Sequence, residues 1–288
     1  MLVLSGAHSL LARHILPVFR DSYQVVAFDE EQGSINDADF IRTLLDESQP
    51  ALFINCSEFS LVEDCEFYRE KAYSINGFAP GTIADICAER NIKLVHFSTP
   101  NVFSGEKESP YTEKDEPCPY TVFGDSKLLG EKKIGQSGCR YLVIRVPDVY
   151  GRNDSFLHAC FRDMRAGKTI EVIQNHRKTP TYAEDIAHMV YRLIQQDAEG
   201  LVHMANSGES TIYQFYKKAH ELYVGKGLNH VDFRVQEIPF EEFLTPVDYP
   251  LNSLLESSRL EQDFSIKPET WEKALDRFMN DHAGELSG

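Results

Sequence analysis

LVLSGAHSLLARHILPVFRD, residues 2–21, opens on a short apolar run, turns at a glycine and continues with apolar residues three and four apart. The pattern reads as a buried strand, a tight turn and an amphipathic helix, with Pro17 placing a kink near the helix end. Working outward, the same alternation repeats. QVVAFD (24–29) and PALFINC (50–56) read as strands, and DADFIRTLLDES (37–48) as the helix between them. A long helix is expected over about 66–90. The strand KLVHFST (93–99), a polar loop over 101–118, a helix at PYTVFGDSKLLGE (119–131) and the strand RYLVIRV (140–146) follow. Strands alternating with helices imply right-handed crossovers and a parallel sheet covered on both faces. The expected fold is α/β: a Rossmann-like doubly wound sheet over residues 1–150, with a smaller C-terminal α/β lobe over 151–288. That lobe should carry helices near 154–166, 183–196, 211–223 and 268–280, and short strands near 170–173, 201–204 and 233–238.

The net charge of −16 sets the chain against a nucleic-acid backbone, whose binding draws on clustered Lys and Arg. No apolar run reaches the roughly 18 residues that span a bilayer, so no membrane partner is expected. The start MLVLSGAHSLL lacks a basic leader and reads as a core strand, which places the protein in the cytoplasm. Six cysteines, at 56, 65, 87, 118, 139 and 160, form no C-x-x-C pair, so no metal site is expected and the thiols should be reduced.

GAHSLLA (6–12) follows the first strand, where a dinucleotide-binding turn carries glycines at its first, fourth and seventh places. Here Gly6 holds the first place, and Ser9 and Ala12 the others. Gly6, Ser9 and Leu10 are the candidate cofactor-binding residues of this turn; a plain strand–helix turn fits the pattern equally. Asp29 closes the second strand, where an acidic residue commonly holds the adenosine ribose. A carboxylate there repels a 2′-phosphate and slightly favours NAD over NADP. A solvated charge fits equally.

Six segments in order carry a wider resemblance: INCSEFSLVEDCEFYREKAYSIN (54–76), VHFSTPNVFSG (95–105), PYTEKDEPCPYTVFGDSKLLGE (110–131), VIRVPDVYG (143–151), TPTYAEDIA (179–187) and FLTPVDYPLNSLLESSRLE (243–261). Together they resemble the dTDP-4-dehydrorhamnose reductases, extended short-chain dehydrogenase/reductases. The regulatory β subunit of methionine adenosyltransferase is similar on the same scaffold. The resemblance implies hydride transfer from NAD or NADP to a 4-keto sugar carried on a nucleotide. It implies a tyrosine that protonates the alkoxide, a lysine four residues later that holds the nicotinamide ribose, and a Ser or Thr hydroxyl on the carbonyl oxygen. These roles fall on Phe123, Lys127 and Thr99, with Ser98 beside it. Asn55, Cys56, Ser57 and Asn76 fall in the cofactor shell.

Phe123 has no proton to give. Tyr120 could replace it if the helix starts early, at Pro119. Further departures are Pro100-Asn101 and Pro147-Asp148, where the reductases reach the sugar, and Glu58, whose carboxylate would repel a pyrophosphate unless it turns away. Two readings follow. One is a non-catalytic or regulatory member with a degenerate site, acting through a protein partner. The other is a working reductase of a nucleotide-linked 4-keto-6-deoxy sugar.

Overall fold

The computed structural model describes residues 1–152, 156–227, 232–243, 245 and 247–282. Leu244 and Pro246, the first residues of the helix expected near 154, and residues 283–288 lie outside the described set.

Six parallel strands form the main sheet, in the order β2-β1-β3-β4-β5-β9. They are β1 (Leu2–Ser5), β2 (Val25–Phe28), β3 (Leu52–Asn55), β4 (Lys93–Ser98), β5 (Tyr141–Arg145) and β9 (Gly200–His203). β1, β3 and β4 are buried along their whole length, as expected of parallel strands covered on both faces. α1 (Leu10–Arg20) buries Ala12, Ile15, Leu16 and Phe19 on one stripe. That stripe packs with Ile186, Ala187, Val190 and Leu193 of α8 (Ala183–Gln195) into the core of one sheet face. α2 (Ala38–Ser48), α5 (Ala79–Glu89) and α6 (Val122–Gln136) cover the other face.

The chain order reverses between β1 and β3. In such sheets ligands bind in the crevice outside the carboxyl ends of the strands at this switch point. Residues past 150 return to complete this body, since both β9 and α8 come from the second half of the sequence. β9 extends an edge that a strand-by-strand reading of residues 1–150 leaves open.

The remaining elements form the lobe. β6 (Val149–Tyr150) pairs with β8 (Thr181–Tyr182), and β7 (Ile170–Ile173) with β10 (Val235–Ile238), all parallel. An aromatic core of Tyr150, Tyr182, Phe215, Trp271 and Phe278 fills the space among α7 (Phe156–Arg165), α9 (Ile212–Gly225) and α11 (Trp271–Asp281). α10 (Ser258–Phe264) packs on β9.

The helix expected over 66–90 is broken. α3 (Val62–Phe67) ends at Tyr68, whose φ is −114° and ψ 53°, and α4 (Arg69–Ala72) runs into a π-helical turn over Tyr73–Phe78 before α5. Asn76 in that turn is fully buried. Its amide accepts from the Phe59 N–H (2.8 Å) and donates to the Phe59 carbonyl (2.9 Å) and Ser126 Oγ (3.1 Å). The widened turn accommodates this clamp between the β3–α3 loop and α6.

Candidate functional site

A cleft of about 670 Å³ lies at the carboxyl ends of β1, β3, β4 and β5, and the lobe forms its far wall. Ser9, Leu10, Asn55, Cys56, Ser57, Ser98, Thr99, Phe123 and Lys127 line it together. Gly6, Asp29 and Asn76 are not among its lining residues.

Gly6 has φ +72°, and a Cβ on it would lie 2.6 Å from the Ser57 backbone nitrogen. The glycine therefore lets the first turn lie against the β3 loop. Ser9 caps α1: its Oγ accepts the Ala12 N–H at 3.2 Å, which leaves the hydroxyl proton free. The α1 N-terminus opens on the cleft through Ser9, Leu10 and Leu11. Its free backbone N–H groups suit an anion. Asp29 braces the turn, accepting the His8 N–H at 2.7 Å and the Glu30 N–H at 2.9 Å.

Asn55 accepts from Ser5 Oγ (2.8 Å) and Ser57 N (3.0 Å), so its amide nitrogen is what meets His96 Nδ1 at 3.2 Å. Burial first, then Lys127, pushes the His96 imidazole well below its usual pKa, so it is neutral. Burial and the Glu58 charge raise the Cys56 thiol, and Cys65 is pushed up to about 12, chiefly by burial. Neither thiol is an activated nucleophile.

α6 starts at Val122, capped by Thr121, whose side chain accepts the Gly124 N–H at 3.0 Å. Tyr120 therefore precedes the helix, is half-exposed and does not line the cleft. This overturns the early start at Pro119: the Thr121 cap starts α6 at Val122, two residues after Tyr120, so Tyr120 lies outside the helix and does not share the face of Lys127. Phe123 packs among Phe59, Val62, Cys65 and Tyr73.

One turn on, Lys127 is 1% exposed. Its Nζ donates to the Phe97 carbonyl at 2.6 Å and meets Glu58 Oε2 at 3.3 Å. Glu58 thus turns toward the lysine. Thr99 Oγ1 accepts the Asn101 N–H at 3.2 Å, capping the short turn Pro100–Val102. Its own proton stays available to the cleft. Ser98 instead bonds Glu131 at 2.5 Å, and Glu131 is locked by Arg145 through bonds of 2.9 and 2.6 Å.

Sequence reasoning expected a lobe over the cleft but missed Lys178, His176 and Tyr249, which the lobe contributes to its lining. Asp148 and Lys178 form a 2.7 Å ion pair there, beside buried His176. The Tyr249 hydroxyl bonds Glu63. Burial, ahead of that carboxylate, raises the Tyr249 pKa above its usual value. Asp148 was visible only as an unusual residue after β5, and nothing local signals a partner 30 positions away. Among the described residues no group of three or more His, Cys, Asp or Glu side chains is arranged to hold a metal, and no helix is long and apolar enough to cross a membrane.

Residues 1–283 match the family described as RmlD substrate binding domain. The "Probable low-salt glycan biosynthesis reductase Agl14" of Haloferax volcanii is 30% identical, over 94% of each chain. The "Spore coat polysaccharide biosynthesis protein SpsK" of Bacillus subtilis is 29% identical, over 91% of this chain and 90% of its own. Among solved structures, a dTDP-4-dehydrorhamnose reductase from Bacillus anthracis in complex with NADP superposes with a TM-score of 0.91 at 25% identity, covering 97% of this chain and 98% of the other.

Proposed function

The chain belongs to the RmlD substrate binding domain family, and from that membership we propose that it binds a nicotinamide dinucleotide in the cleft but has lost the tyrosine-driven ketone reduction implied by its resemblance to the reductases. One observation carries this reading: Lys127 is buried and in place, whereas the ring one turn before it is a phenylalanine set among apolar side chains. General acid catalysis is typically worth about 10²–10⁴ in rate.

The dinucleotide fits the residues present. The turn at Gly6 lets the chain pass close to the β3 loop, and the α1 N-terminus offers N–H groups for a pyrophosphate. Asp29 is assigned to the adenosine ribose side and Lys127 to the nicotinamide ribose. The bound cofactor would supply hydride; the chain's own part is to hold it, orient it and keep water from Lys127. We assign this work to a body of residues 1–150 completed by α8 and β9, with the lobe as the substrate wall. We also place the protein in the cytoplasm, on the six scattered cysteines that form no C-x-x-C pair in the sequence. A member that binds without reacting would act through a protein partner.

A second reading is favoured by one feature, the Tyr249 phenol in the cleft wall. It is a working reductase of a nucleotide-linked 4-keto-6-deoxy sugar, with the proton supplied from the lobe.

Calorimetric titration of the full chain with NADH and NADPH tests the binding claim. NADH is expected to bind several-fold more tightly than NADPH, because the Asp29 carboxylate repels a 2′-phosphate. Binding of neither would end the dinucleotide reading, and tighter NADPH binding would remove Asp29 from the ribose site.

A further inference from the structure

We propose that Glu131, held by Arg145, is a positioning residue that fixes where Lys127 stands relative to Thr99 in the cleft. The inference rests on the assignment of Lys127 to the nicotinamide ribose and adds to it the group that places the lysine.

Three consecutive residues end β4 and lead into the cleft. The Phe97 carbonyl accepts from Lys127 Nζ at 2.6 Å, and Ser98 Oγ donates to Glu131 Oε1 at 2.5 Å. Lys127 and Glu131 stand four residues apart on α6, so they share one helix face. The end of the strand is thus fastened to the helix at two points, one turn apart. Thr99, the third residue, lines the cleft beside Lys127. Neither Glu131 nor Arg145 is among the lining residues, so the pair reaches a ligand only through the groups it holds.

The Arg145 guanidinium grips both oxygens of Glu131, Nε donating to Oε1 at 2.9 Å and Nη2 to Oε2 at 2.6 Å. The two side chains are 2% and 10% exposed. Desolvation offsets most of the attraction in such a buried pair, and apolar residues of like volume often serve the fold as well. What an apolar pair lacks is direction: the forked bond sets the carboxylate at one distance and one angle, ready for Ser98.

Arg145 is itself held from two further sides. It lies over the Phe103 ring at 4.9 Å, and its Nη1 meets His203 Nε2 at 3.3 Å. His203 Nδ1 bonds the Tyr111 carbonyl at 3.0 Å, and a carbonyl only accepts, so Nδ1 carries the proton and Nε2 is the acceptor for Arg145. Burial, then Arg145, pushes this imidazole down to about 3, which keeps that acceptor free of a proton. The carboxylate that orders α6 against β4 is therefore fixed from β5, β9 and the loop after β4 together.

The test replaces the pair by apolar residues, Glu131→Leu with Arg145→Met, and reads the folded protein in two ways. In the ligand-free chain, NMR on protein carrying heavy nitrogen in its lysines follows the Lys127 ammonium, identified by the signal lost in Lys127→Met. An ammonium buried against the Phe97 carbonyl exchanges its protons slowly and gives a resolved signal. Calorimetry then measures NADH affinity. The double variant is expected to keep about the wild-type unfolding temperature. It should shift or lose the Lys127 signal and bind NADH about fivefold more weakly, the scale of one hydrogen bond. Ser98→Ala, which removes only the link between β4 and the carboxylate, should move both readouts the same way by less, and it carries the test if the double variant does not fold. A Lys127 signal unchanged in the folded variants overturns the proposal, as does an affinity equal to that of a wild type that binds. Absence of NADH binding by the wild type would end the ribose assignment, and the Lys127 signal would still decide whether Glu131 places the lysine.

Discussion

Glu58→Gln is expected to bind NADH about tenfold more tightly than the wild type. The Glu58 carboxylate meets Lys127 Nζ at 3.3 Å, and the lysine is the group assigned to the nicotinamide ribose. An incoming ribose must displace that carboxylate or share the ammonium with it. The same charge sits two residues past Cys56 in the β3 loop and lines the same cleft as Ser9 and Leu10 at the start of α1, where a pyrophosphate would lie. Two unit charges several ångströms apart near a protein surface repel by about 2 kcal/mol, reduced here because Glu58 is partly exposed, so a net gain near 1.4 kcal/mol, or about tenfold, is the expected scale. Glutamine keeps the size and the carbonyl acceptor while removing the charge. Calorimetry on both proteins reads the difference. Weaker binding by the variant would reverse the assignment, making the carboxylate an acceptor for ribose hydroxyls.

Gly124→Ala is expected to be among the most damaging single substitutions on α6. A Cβ there would fall on the carbonyl oxygen of Asn101, and would lie 2.8 Å from its carbonyl carbon and 3.0 Å from Pro119 Cβ. Neither neighbour is the end of a flexible side chain, so the turn that carries Thr99 must withdraw from α6. Overpacking costs typically about 1–3 kcal/mol, and a backbone clash belongs at the upper end, which lowers the unfolding temperature by about 6–12 °C. Gly135→Ala on the same helix is the control. Its added Cβ meets only the Tyr141 hydroxyl, at 3.8 Å, so alanine there should stabilise through helix propensity by up to about 1 kcal/mol. Equal melting temperatures for the two variants would refute the close approach of α6 to the Thr99 turn.

The parallel body was legible because its signals are local. Continuous apolar runs mark buried strands, and the stripe in α1 marks its core face. The gathering of Thr99, Phe123 and Lys127 at one cleft followed from the resemblance, since the residues lie on separate elements and no short-range pattern joins them. What could not be read depends on distant partners. The π-helical turn answers to Asn76 reaching Phe59 and Ser126, and the turning of Glu58 answers to Lys127, 69 residues away. Ser98 sits beside Thr99 in sequence, yet its hydroxyl is spent on Glu131 because alternate residues of β4 face opposite ways. The start of α6 was misplaced for a local reason: Pro119 looks like a first-turn proline, but Thr121 offers a better cap.

The central claim is that the cleft holds a nicotinamide without a working acid at position 123. It is tested most directly by following deuterium from 4-deuterated NADH into a dTDP-4-keto-6-deoxy sugar, with wild-type protein and with Phe123→Tyr. The expected result is no labelled product from the wild type and at most a trace from the variant, because Pro100, Asn101, Pro147 and Asp148 replace the groups assigned to orienting the sugar, and orientation can contribute about as much as the acid itself. Robust label transfer by the wild type would contradict the account, and would move the proton donor to Tyr249 in the lobe wall.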